Sequence, residues 1–157
     1  MTATEAIYDE ETQTMAEKTV QRFMDLFHQL NTDNAQGPLL DQVYRHDMVF
    51  EDSFHRIEGL SNFKDYCESV YENLTFCEFT FHDTWISQAD AMLIWTMNYG
   101  HPRLNRGKPI TVEGSSHIKF DHRVYYHRDY FDGGKLLYEH VPLLGTAIQQ
   151  LKKRMVK

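Results

Sequence analysis

Two aspartates in this chain stand among apolar and aromatic neighbours at strand-like spacing. Asp129 lies in Arg123-Val-Tyr-Tyr-His-Arg-Asp-Tyr-Phe-Asp132, which follows a turn-like Asp121-His122 and has the aromatic and β-branched content of a strand. Alternation puts Tyr125, His127, Asp129 and Phe131 on one face, and Val124, Tyr126, Arg128 and Tyr130 on the other. Asp52 closes a second such run, Asp47 to Asp52, with Met48 and Phe50 on its own face. Ionisable groups are costly to bury unless paired, so strands that keep them among rings need a reason. A carboxylate surrounded by apolar rings is suited to proton transfer near neutral pH, and two that converge can divide acid and base roles. The structural alternatives are a half-buried strand whose polar groups satisfy one another, and a loop-facing cap at Asp52.

Further candidates surround this pair. Trp95, Met97 and Tyr99 share a face of a third strand-like run, where the Tyr99 hydroxyl has the chemistry to meet an oxyanion or carbonyl, unless it is a packed core tyrosine. His127, two residues from Asp129, can orient substrate or stabilise negative charge. The nine histidines raise the question of a metal. His117, His122 and His127 are five apart, an odd step that separates neighbours on a strand, and a turn at Asp121-His122 divides them further. There is no HExxH, no His-x-His and no cysteine pair at ligand spacing, so no metal is expected. The chain has no Gly-rich phosphate loop and no GxSxG nucleophile elbow, and no signal for a cofactor. Gly114-Ser115-Ser116 sits inside a strand and reads as a bulge.

The elements that must position these residues follow from periodicity. Residues 1–12 are polar and acidic and read as a loose arm. Thr14-x-x-Glu17 is a capping box, after which Val20, Phe23, Met24, Phe27 and Leu30 predict an amphipathic helix. Leu39 to Tyr44 suits a short helix, and Gly59 to Leu74 a longer one with Phe63, Tyr66, Cys67, Val70 and Leu74 in its stripe. From Thr75 the period changes to two, predicting strands over 75–87, 91–100, 110–120 and 124–131. Lys135–His140 is read as a short helix rather than a returning strand. Pro142 then opens a C-terminal helix over 142–157, with Leu144, Ala147, Ile148, Leu151 and Met155 on one side.

Bulk properties narrow the class. The 157 residues suit one domain, able to bury roughly 70% of its unfolded-chain surface. The 41% hydrophobic and 13% aromatic content gives a folded core, and a net charge of −7 offers no basic excess for nucleic acid. The run Lys152, Lys153, Arg154 and Lys157 ends a helix, where cations favour the dipole. No export signal and no stretch of about 18 apolar residues is seen, so a cytoplasmic, membrane-free protein with Cys67 and Cys77 as reduced thiols is expected.

Helix, short helix, strand, helix and long meander, with Arg128-Asp129-Tyr130-Phe131-Asp132 in the last strand, resemble the SnoaL-like branch of the nuclear transport factor 2-like superfamily. The resemblance spans roughly residues 13–140. It implies an α+β fold, a cone-shaped α+β barrel in which a curved antiparallel sheet wraps around the N-terminal helices. The last strand is similar to that of limonene-epoxide hydrolases, which implies for Asp129 the role of activating a water. Phe50 and Asp52 then fall where those enzymes hold a water-positioning tyrosine and asparagine. Ketosteroid isomerases carry their proton-shuttling aspartate on what looks like the same strand as Asp52. The chain departs from the epoxide hydrolases on the middle strand, where Met97-Asn98-Tyr99 replaces an Arg-x-Asp pair.

These readings lead to two expectations of different class. One is acid–base chemistry (isomerisation, cyclisation or hydrolysis) on a small apolar or amphipathic molecule, with Asp129 and Asp52 sharing acid and base roles. Tyr99 and His127 would assist, and Phe27, Met48, Phe50, Tyr66, Trp95, Met97, Val112 and Phe131 would line the cone. The other is a non-catalytic ligand-binding or dimerisation module of the same fold. In either case Phe76, Ile94, Tyr126 and Tyr130 on the outer sheet face favour a homodimer.

Overall fold

The computed structural model describes residues 3–141 and 143–155. Its first helix, α1 (Ala3–Gln29), is longer than the capping box suggested, because the polar segment expected as an arm already forms its opening turns from Ala3. Ala16, Val20, Phe23, Leu26 and Leu30 face the core at helical spacing and are buried. A turn held by Asn31 and Asn34 side chains leads to α2 (Leu39–Val43). Strand β1 (Tyr44–Glu51), the short β2 (Arg56–Glu58) and α3 (Leu60–Glu72) follow, with Leu60, Phe63 and Cys67 of α3 turned inward.

The meander is β3 (Phe76–Ile86), β4 (Asp90–Gly100), β5 (Ile110–Phe120) and β6 (Val124–Phe131), antiparallel throughout as the period-two reading anticipates. The six-stranded sheet runs β2-β1-β6-β5-β4-β3. Here the structure corrects the expectation of a purely antiparallel sheet. β1 pairs parallel with β6, setting Phe50 beside His127, and the sheet is mixed. A contact between strands more than seventy residues apart leaves no local mark, and β2, only three residues long, leaves none either. Beyond β6, α4 (Gly133–Leu136) is capped by the Asp132 carboxylate, which accepts from the Gly134 and Lys135 amides. A 3₁₀ turn at Tyr138–His140 replaces the single short helix expected over 135–140. The last helix, α5, spans Leu144–Met155; the expected start at Pro142 lies outside the described residues.

Two local features decide which side chains reach the interior. In β6, Phe120 pairs with Val124 but Lys119 with Tyr126, so Tyr125 is an extra residue in the ladder. Val124 and His127 therefore both face inward, and Tyr125 leaves the face that simple alternation gave it, lying instead under the Arg45 guanidinium. In β5, Gly114 is paired regularly with Trp95, so the expected bulge is absent. A Cβ at Gly114 would stand 2.3 Å from the Trp95 ring, so the glycine leaves the room that the indole occupies. Among the described residues, no helix is long and apolar enough to cross a membrane.

Candidate active site

The concave face of the sheet, α1 and α3 enclose a cavity of about 320 Å³. Each wall has a local cause. β6 contributes His127, Asp129 and Phe131 by alternation past the bulge, and β4 contributes Trp95, Met97 and Tyr99. The end of β1 supplies Phe50 and Asp52, α1 supplies Phe27, and the stripe of α3 supplies Phe63, Tyr66, Cys67 and Val70. Phe54 and His55, in the turn between β1 and β2, are exposed and form its rim. Of the residues expected to line it, Met48 and Val112 do not. Both are buried behind the wall, Met48 in the main core and Val112 packed with Tyr99 and Ile110.

Asp129 lies at the centre of a chain of buried hydrogen bonds. The Trp95 indole Nε1–H donates to Ser116 Oγ at 2.9 Å. Indole is a donor only, so the serine hydrogen is free to go elsewhere, and it goes to Asp129 Oδ1 at 2.5 Å. His127 Nε2 stands 2.7 Å from the same oxygen, and His127 Nδ1 stands 2.9 Å from the Tyr44 hydroxyl. With Nε2 carrying the proton and Nδ1 accepting from Tyr44, every member of the chain is satisfied. His127 itself is only 1% exposed, boxed by Phe23, Phe27, Phe50 and Phe63, with Tyr44 stacked on it at 12°.

The two oxygens of Asp129 are thereby different. Oδ1 accepts two hydrogen bonds, while Oδ2 meets no protein donor among the described residues. No fully buried side-chain oxygen or nitrogen there lacks a partner, so Oδ2 faces open space, consistent with the 19% exposure of its side chain. A carboxylate fixed through one oxygen and free at the other is set up to accept or return a proton.

Asp52 reaches the same cavity, as expected, but its carboxylate is fully engaged. Oδ1 accepts from the Phe54 and His55 amides at 2.8 and 2.6 Å and lies 3.2 Å from His55 Nδ1, while Oδ2 accepts from the Tyr66 hydroxyl at 3.3 Å. It ties the β1–β2 turn together, and taking a proton there would loosen the turn. Tyr99 presents its ring to the cavity, yet its hydroxyl donates to the Leu136 carbonyl, so that proton is not offered to a ligand. Burial pushes the Tyr99 phenol up to about 12 and the Cys67 and Cys77 thiols up to about 12 and 11. Burial first, and the Asp52 charge second, raises the Tyr66 phenol further still. All four stay protonated at neutral pH. Among the described residues, no three His, Cys, Asp or Glu side chains are grouped to hold a metal ion.

Ser116 and Tyr44 belong to the site and were not anticipated from sequence. The sequence reading places Ser116 in a bulge at Gly114 and Tyr44 at the end of the short helix. The available signal was the register itself, because Ser116 lies two residues from Gly114 on the same face and directly opposite Asp129.

The sequence profile of the SnoaL-like domain matches residues 20–127, and the chain belongs to that family. The match stops just before Asp129. The fold is shared with a limonene-epoxide-hydrolase-like epoxide hydrolase of M. tuberculosis, at 20% identity over 76% of this chain and 84% of that one, with a TM-score of 0.61. It is also shared with a Jannaschia sp. CCS1 protein named as a SnoaL-like polyketide cyclase, at 15% identity over 76% and 87%, TM-score 0.63. A nuclear transport factor 2-like protein from Exiguobacterium sp. 255-15 aligns at 14% identity over 73% and 98%, TM-score 0.59. No functionally curated protein matches the chain.

Proposed function

We propose that the protein is an acid–base enzyme acting on a small apolar or amphipathic molecule held in the cone, with Asp129 as the proton-transferring group. The observation that carries this reading is the asymmetry of the Asp129 carboxylate, held at Oδ1 by Ser116 and His127 and open at Oδ2. Oδ2 takes a proton from the bound molecule or from a water beside it, and returns it later in the reaction. His127 and Ser116 are positioning residues that hold the plane of the carboxylate, and His127 is itself held by Tyr44. Asp52 shapes the rim through its turn and does not carry the proton. The resulting reaction class is isomerisation, cyclisation or hydrolysis. The protein works as a homodimer in the cytoplasm, paired through the outer sheet face, where Trp85 and Tyr130 are 60% and 47% exposed.

A second reading is a ligand-binding module of the same fold. Two observations favour it: the middle strand offers Met97 and Tyr99 rather than an Arg-x-Asp pair, and Asp52 is saturated by its turn. The substitution Asp129→Asn separates the two. If Asp129 is the proton carrier, turnover on a substrate found by screening ketones, polyketides and epoxides falls by ~10²-fold or more, with binding retained. If Asp129 only ties the strand to Ser116 and His127, the melting temperature drops while ligand affinity and any activity stay near their starting values.

A further inference from the structure

The cavity wall carries many polar side chains, and their hydrogens can be followed one by one. Tyr66 donates to Asp52, Tyr99 to the Leu136 carbonyl, and Trp95 to Ser116. His127 donates to Asp129, and Tyr71 is paired with the Cys77 sulfur. His55, at the rim, turns its Nδ1 to the Asp52 carboxylate at 3.2 Å. His101 differs from all of these. It lines the cavity just after β4, and its Nδ1 accepts the backbone amide of Arg103 at 3.1 Å. A ring nitrogen that accepts a hydrogen bond cannot also carry the proton, so the proton of His101 sits on Nε2. No protein acceptor meets that Nε2–H among the described residues.

We infer that His101 supplies the hydrogen-bond donor that recognises the ligand, and that the ligand is an apolar ring compound bearing a carbonyl or carboxylate oxygen. The wall otherwise offers aromatic faces, the free Oδ2 of Asp129 and protein-committed hydroxyls, so a ligand without an acceptor oxygen would leave the His101 donor unused. A ligand rich in donors would find few partners besides Asp129. The backbone bond to Arg103 holds the imidazole in one tautomer, so the donor is ready before the ligand arrives. This inference rests on the cavity being the ligand site, and it does not require Asp129 to move a proton.

A matched pair of probes tests it: 2-acetylnaphthalene and 2-ethylnaphthalene, alike in shape and differing in one carbonyl oxygen. Their dissociation constants are measured by equilibrium dialysis on the full chain and on His101→Asn. Asparagine can keep the bond to the Arg103 amide through its own side-chain oxygen but does not extend as far as the imidazole. The expected result is that His101→Asn weakens the ketone by roughly fivefold, the usual worth of one hydrogen bond, while the hydrocarbon binds as before. Affinities of both probes left unchanged by His101→Asn overturn the role of His101 and leave the cavity as the ligand site. Equal weakening of both probes also overturns it, because that reports a disturbed loop rather than a lost donor. Failure of the unmodified protein to bind either probe removes the cavity and the inference together.

Discussion

Ser116 Oγ stands 2.5 Å from Asp129 Oδ1, across a register pair that the two residues form between β5 and β6. The direction of that bond is set one strand further away, by the Trp95 indole that donates to the same Ser116 oxygen. Three adjacent strands thus place one carboxylate oxygen, and the aspartate is oriented by the regular part of the sheet. A site on strands is held more closely than one on loops, which suits a group that must meet a reacting atom within hydrogen-bond distance.

Ser116→Ala breaks this chain at its middle. The Trp95 Nε1–H loses its acceptor in a buried setting, and Asp129 loses one of two donors on Oδ1. We expect a destabilisation of about 1–3 kcal/mol, the cost of leaving a buried donor unsatisfied, read as a lower urea midpoint with unchanged slope. A midpoint equal to that of the unmodified protein would mean that the Trp95–Ser116–Asp129 chain does not hold the site.

How much of this could be read beforehand depended on how far apart the partners are in sequence. The limits of β5 and β6 follow period-two patterning, which side-chain identity encodes locally, and His127 and Asp129 emerge on the inner face for the same reason. Tyr125 was misplaced because a bulge costs one residue and shifts every position on one side of it, yet leaves no composition signal. Ser116 and Tyr44 were missed because a serine and a tyrosine acquire meaning only from partners on other strands. Asp52 stands out in the sequence as a carboxylate among rings, and its bonds to the Phe54 and His55 amides realise the alternative of a loop-facing cap.

Gly114→Ala tests the close approach of the indole. The added methyl would overlap the Trp95 ring, so the ring or the strand must give way, at about 1–3 kcal/mol for an overpacked interior. The informative measurement is a double-mutant cycle with Trp95→Phe, whose smaller ring relieves the overlap. A coupling energy favourable to the double variant is expected, since the two positions touch. Strict additivity of the two changes would show that Gly114 is there for some reason other than the indole.

Glu51, at the end of β1 on the outer side of the sheet, gives the acid side of stability a specific source. Its carboxylate accepts from the Tyr126 hydroxyl and Arg128 at 2.9 Å each, and from Arg56. The Tyr126 hydrogen bond, then Arg128 and Arg56, hold the Glu51 carboxyl below the usual range. The sign follows from linkage. A carboxylate whose folded-state value lies below its unfolded one stabilises the fold fully above the unfolded value, near 4.3 for glutamate. That contribution is lost as pH falls from there through the depressed folded value. Glu51→Gln should therefore be less stable than the unmodified protein at pH 7. The gap should begin to narrow as pH falls below about 4.3, where the unfolded chain takes up the proton, and should close only once the folded carboxylate, held lower by its partners, is protonated as well. Thermal unfolding of both proteins from pH 7 to pH 3 measures this directly. Melting curves that fall in parallel over that interval would show that the Tyr126–Glu51–Arg128 cluster contributes nothing to the acid limb.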